Sequence, residues 1–151
     1  MTLNDIISKY NLIFPLRFEH NGKEFSKDLK IKIIKMRIEY GKYKKELDND
    51  IKEFTDGIIS ERYKFLKNAQ FKTPEEINEL NELEASYNKD IFDYMNSRAS
   101  EEIKNITNWT ITEEEYNEII DLNATNNVDI NGMQLNGADY LEMIYNILVE
   151  K

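Results

Sequence analysis

His20 is the only histidine of a 151-residue chain that contains no cysteine. Those two facts bound the nucleophilic chemistry. Thiol nucleophiles, disulfides and zinc–thiolate sites are excluded, and a triad would have to be built on Ser–His or Thr–His. None of the serines stands in a G-x-S-x-G elbow. His20 itself precedes Asn21-Gly22, which reads as a histidine exposed beside a hairpin turn. Asn127, Asp129, Asn131 and Gly132 resemble the first half of a calcium-binding loop. Such a loop needs Asp first and a bidentate Glu at the twelfth position. Here those positions hold Asn127 and Ala138, so a plain β-turn is the expectation. The five glycines are scattered and form no phosphate cradle.

The remaining charged clusters point to structure. Glu75-Glu76, Glu101-Glu102 and Glu113-Glu114-Glu115 fall where helices are expected to begin, and carboxylates there complement the helix dipole. Lys27, Lys30, Lys32, Lys35, Arg37, Lys42, Lys44 and Lys45, interleaved with Tyr40 and Tyr43, could face nucleic acid. They point around a helix rather than along one stripe, and the whole chain is acidic, with a net charge of −9. No catalytic, cofactor-binding or metal residue is therefore expected, no cofactor either, and the chain does not read as an enzyme.

The elements that position these residues follow from spacing. Residues 2–12 read as a short helix capped by Thr2 or Asn4 and stopped by Pro15. Leu16 to Phe25 alternates around Asn21-Gly22, the strongest short hairpin signal. Ser26 then caps a long helix expected to run to about Asn68, with Leu29, Ile33, Met36, Tyr40, Tyr43, Leu47, Ile51, Phe54, Ile58 and Phe65 at steps of three and four. Gly41 and Gly57 weaken it, so a bend or break is open near Gly57. Thr73-Pro74-Glu75-Glu76 is a capping box with Pro at the first helical position. It opens a second helix with Ile77, Leu80, Leu83, Tyr87, Ile91 and Tyr94 inward. The short connection folds this helix back antiparallel, with Tyr40, Tyr43, Leu47 and Ile51 expected opposite Tyr87, Ile91 and Tyr94. Trp109-Thr110-Ile111 suggests a short strand, Thr112 and Glu115 another capping box, Asn131-Gly132 a second hairpin, and Asn136 the cap of a last helix. No internal repeat is legible.

The fold class is thus mainly α: a long antiparallel helical hairpin with an N-terminal β-hairpin and a small C-terminal α/β module. The expected divisions are residues 1–25, 26–107 and 108–151. No stretch approaches the roughly 18 apolar residues of a membrane span, and no signal peptide is recognised, so the product is expected to remain where it is made.

Charge is unevenly spread. Residues 1–70 hold 15 Lys/Arg against 11 Asp/Glu, and residues 71–151 hold 5 against 18, giving +4 and −13. The antiparallel return would bring the basic residues 27–45 near the acidic residues 101–118. Two helices cannot bury every side of their apolar rows. Ile31, Ile34, Ile38, Ile59 and Tyr63 on the first helix, and Phe92 and Met95 on the second, lie off the seam and call for another chain.

In style the chain resembles small structural proteins of tailed bacteriophages, particularly the crAss-like phages of gut Bacteroides. The likeness rests on the hairpin opening Leu16–Phe25, the stretch Met36 to Lys45, the ending Asp129-Ile130-Asn131-Gly132 followed by Tyr140 to Tyr145, and richness in Lys, Asn, Ile, Glu and Tyr. The resemblance implies a virion role as capsid, head–tail connector or tail component, in many copies, made in the host cytoplasm. Its partners would be other protein subunits, virion proteins and copies of itself, with no nucleic acid, membrane or small-molecule substrate. The alternative is a small acidic inhibitor or anti-defence protein that blocks a nucleic-acid-binding partner.

Overall fold

Thr2 opens the first helix. Its hydroxyl accepts from the Asp5 N–H while the Asp5 carboxylate accepts from the Thr2 N–H, a closed capping box. The computed structural model describes residues 1–151. Its elements are α1 (Leu3–Ile13), β1 (Glu19–His20), β2 (Lys23–Glu24), α2 (Lys27–Ile58), α3 (Glu61–Asn68), α4 (Pro74–Ala99), α5 (Glu113–Asn123), β3 (Val128–Ile130), β4 (Met133–Leu135) and α6 (Gly137–Leu148). The chain is mainly α, with two small antiparallel strand pairs. It forms two compact units, one of Met1–Lys44 with Glu102–Lys151 and one of Lys45–Glu101.

The first unit holds the apolar core. Ile6, Leu12 and Ile13 of α1, Leu29, Ile33, Met36 and Tyr40 of α2, Ile119 and Leu122 of α5, and Tyr140, Ile144 and Leu148 of α6 are all buried. The steps 29, 33, 36 and 40 are the inward stripe of a helix. The unit contains a repeat that was not legible from the sequence. Helix, Asn-Gly hairpin and helix occur twice, as α1-β1-β2-α2 and α5-β3-β4-α6. Thr2 and Thr112 cap 11-residue first helices, Asn21-Gly22 and Asn131-Gly132 make the turns, and Ser26 and Asn136 cap the second helices. Each pair lies 110 positions apart (112 − 2, 131 − 21, 136 − 26). Side-chain identity hardly survives between the copies, whereas capping and turn chemistry does. Both turns place Asn and Gly at positive φ, 51° and 79° in one and 52° and 82° in the other. Only a residue pair tolerant of left-handed backbone closes such a hairpin.

Gly137, at the start of α6, is required for space. A Cβ there would stand 1.9 Å from the Ala124 carbonyl oxygen. Backbone bonds tie the start of α1 and the end of α6 to the segment that precedes α5. The Ile103 N–H donates to the Met1 carbonyl and the Ile111 N–H to the Leu148 carbonyl, both at 2.8 Å. The expected strand at Trp109-Thr110-Ile111 is reduced to a single parallel bridge, Ile111 to Val149.

In the second unit the antiparallel return is present with altered detail. The first long helix does not run to Asn68: α2 ends at Ile58, and Ser60, in extended backbone, caps the separate helix α3 through its hydroxyl and the Tyr63 N–H. A serine that satisfies a free N–H at a new helix start wins over continuation just past Gly57. Thr73 and Glu76 close their capping box with Pro74 at the first helical position. Phe54 stacks on Tyr94 at 4.3 Å, Tyr63 meets Tyr87 edge-on at 5.1 Å, and Asp50 pairs with Arg98. The decreasing partner numbers fix the antiparallel sense. Tyr40 and Tyr43 do not join this seam. Tyr40 is buried in the first unit, donating to the Thr107 carbonyl at 2.8 Å and accepting from the Trp109 N–H at 3.0 Å, and Tyr43 packs on the same core. Glu101-Glu102 also does not start a helix: α4 ends at Ala99, and Glu102 receives the N-terminal ammonium of Met1 at 2.7 Å.

Candidate interaction surface

The residues singled out for chemistry are spent on structure. His20 ends β1 opposite Lys23. Asp129 accepts from the Gly132 N–H at 2.8 Å and from the Gln134 side chain, and Asn127 accepts from the Gly137 N–H at 3.1 Å. The Asp129 bonds brace the second hairpin, and the Asn127 bond holds the start of α6. No three His, Asp or Glu side chains gather as a metal set. Asp5, Glu76 and Glu115 each complete a capping box. The backbone and side chain of the cap threonine hold Asp5 and Glu76 below the usual carboxylate range. For Glu115 burial works the other way, but the Lys32 ammonium and the Thr112 N–H outweigh it, and its carboxyl is also lowered.

The basic run is sorted by its partners. Lys32 reaches Glu115 and the Thr110 carbonyl, and Lys30 reaches Glu24 at 2.7 Å. The Arg37 guanidinium donates to the carbonyls of Ile13, Phe14 and Leu16 at 3.0–3.3 Å and lies 4.6 Å from the Phe18 ring centroid. Burial lowers its pKa from the usual arginine value. With the Tyr140 hydroxyl on the Leu12 carbonyl, it satisfies the carbonyls that end α1. The basic stretch and the acidic residues 101–118 meet within the first unit at one pair, Lys32–Glu115; Glu39 of the same helix accepts instead from the Thr107 N–H and the Trp109 indole. Lys27, Lys35, Lys42 and Lys45 instead share an exposed α2 face with Ile31, Ile34 and Ile38. At 100° per residue this face spans Lys27 to Lys45 and carries no carboxylate along its centre.

Two polar side chains that the sequence did not point to are central. Asn123, fully buried, accepts from the Arg17 N–H at 2.9 Å and donates to the Arg17 and Ile119 carbonyls. Asn126 donates to the Pro15 carbonyl and to Asn123. One repeat thus clasps the connector of the other. The equivalent positions in the first repeat are the apolar Ile13 and Leu16, which is why the pattern hid the match.

Exposed apolar surface is what remains. On α4, Phe92 and Met95 are exposed, as the off-seam reading expected, whereas Ile59 and Tyr63 are half-buried. Phe71 is 87% exposed and Phe65 60%. In the whole second unit only Leu66 is buried, and α4 has no buried residue. In the first unit a groove of about 260 Å³ lies between α1, the β3–β4 hairpin and α6, lined by Leu12, Ile130, Met133, Met143 and Ile147 with Asn131 at its polar side. No helix of the chain is long and apolar enough to cross a membrane. Comparison with protein-family models, curated proteins and solved structures finds no match to this chain.

Proposed function

We propose that this protein is a non-enzymatic structural or assembly protein of a tailed-phage virion, a capsid, head–tail connector or tail component that works through protein–protein contacts. One observation carries the reading: the second unit, residues 45–101, buries only Leu66 and leaves Phe65, Phe71, Ile77, Phe92 and Met95 in water. Apolar surface of that kind costs roughly 25 cal/mol per Å² to keep exposed and is stabilised by covering it with another chain. Mass spectrometry of purified particles tests the role. The chain should be present in stoichiometric copies and resist a salt wash, since an apolar contact is little screened. Its absence from particles that assemble normally would remove the virion reading.

A further inference from the structure

The geometry points to a specific self-contact: the Ile/Lys face of α2 in one copy docks on the acidic, Met-lined face of α6 in a second copy, within the assembly role proposed above, on which this inference rests.

The first half of the contact is an apolar row with a positive frame. Ile31, Ile34 and Ile38 are 41–59% exposed on a helix whose opposite stripe is buried in the core. Lys27 and Lys45 lie at the two ends of that row, and Lys35 and Lys42 along one side. Other basic residues of this helix, Lys30, Lys32 and Arg37, are turned to partners within the unit. This row is therefore what α2 presents outward.

The second half has the opposite charge and matching apolar content. Residues 105–150 contain nine Asp/Glu and no Lys or Arg. Several of these carboxylates serve the fold, but Asp139 and Glu142 stand exposed on α6, beside the exposed Tyr145 and Ile147. Next to them opens the 260 Å³ groove walled by Met133, Met143 and Ile147. Methionine walls adapt to a branched aliphatic side chain, and the groove has room for one isoleucine of the α2 row. Lysines then face Asp139 and Glu142 across the rim, an arrangement that sets register and excludes like-charged pairings.

Charge complementarity selects the occupant. An Ile row framed by lysines rejects a copy of itself, so a symmetric α2–α2 contact is disfavoured, and the chain supplies the acidic complement on α6. The two faces are different surfaces, so the contact is heterologous and each docked copy still offers a free face to the next, giving a ring or an open row.

Sedimentation velocity of the purified full chain tests this. The weight-average mass should rise with concentration at about 0.1 M salt and rise less steeply near 1 M, where the Debye length shrinks from roughly 10 Å to 3 Å and the lysine–carboxylate rim is screened while the apolar row is not. Ile34→Asp should leave the melting curve near that of the wild type, because the site is exposed, and abolish the mass increase. The doubles Lys35→Glu/Lys42→Glu and Glu142→Lys/Asn146→Lys should each be monomeric alone and assemble in alternation when mixed, because the two reversed faces match each other and the unaltered α2 of the second still matches the unaltered α6 of the first. A wild-type chain that stays monomeric at low salt overturns the self-contact, as does assembly indifferent to these substitutions or a mixture that fails to pair. A monomer whose α6 face binds a basic foreign partner also overturns it and returns that face to an inhibitor. Particle mass spectrometry decides the virion role separately, since a monomeric chain could still be found in particles.

Discussion

Asn123 shows how one amide can hold two segments together. It is fully buried and serves the Arg17 N–H, the Arg17 carbonyl and the Ile119 carbonyl at once. Asn123→Ala leaves the Arg17 N–H without that acceptor, so urea unfolding should report a loss of about 1–3 kcal/mol. Unchanged stability would mean that this clasp is not needed. Two carboxyls give the protein an acid limit. Burial tends to raise Glu39, but the Thr107 N–H and the Trp109 indole lower it overall, and Glu115 is lowered through Lys32 and Thr112 despite its burial. Because both are held below the ordinary glutamate value, their contribution is complete above the glutamate range and is lost as pH falls through and below it. Melting temperature should therefore be flat near neutrality and drop once pH passes below about 4.3. Glu39→Gln should flatten part of that drop.

At the scale of elements, capping and glycine placement decide where helices begin and end. Gly137 and Gly57 make opposite predictions. A methyl at Gly137 meets the Ala124 carbonyl, so Gly137→Ala should force α6 away from α5 and cost about 1–3 kcal/mol or more. Gly57 has open space around it inside α2, so Gly57→Ala should stabilise by about 0.5–1 kcal/mol. Thermal unfolding of the two variants side by side checks both signs. The break after Ile58 belongs to this scale as well. Ser60 receives the Tyr63 N–H, and its own N–H and hydroxyl meet the Tyr87 hydroxyl at 3.1 and 2.9 Å. The break is thus pinned from the facing helix.

For the whole molecule, burial divides unevenly between the two units. The first packs an apolar core drawn from α1, α2, α5 and α6, whereas the second has one buried apolar side chain, Leu66. Few buried contacts mean low local opening free energies. Hydrogen–deuterium exchange on the isolated chain should show α3 and α4 exchanging well before α1 and α6. In an assembled state that covers the second unit, protection of α4 should rise by orders of magnitude. Equal protection of both units in the isolated chain would remove the need for a partner on that surface.

Local chemistry was readable from the residues alone. The capping boxes at Thr73 and Thr112, the two Asn-Gly hairpins and the apolar row 140, 144, 148 depend on neighbours within a few positions, and the structure places them as read; the row 29, 33, 36 and 40 is buried as its spacing requires, but in the core of the first unit and not against the returning helix. Long-range partnership was not readable. Tyr40 looked like one more seam residue by spacing, and only folding brought residues 107–109 to its hydroxyl and to Glu39. The 110-residue repeat was invisible because its copies fill equivalent positions with Ile13 and Leu16 in one and Asn123 and Asn126 in the other. Helix periodicity and turn conformation are set by steric rules local to the backbone. Which side chain satisfies a distant carbonyl, and which apolar row is left facing water, depends on contacts between segments far apart in sequence, which exist only once the chain has folded.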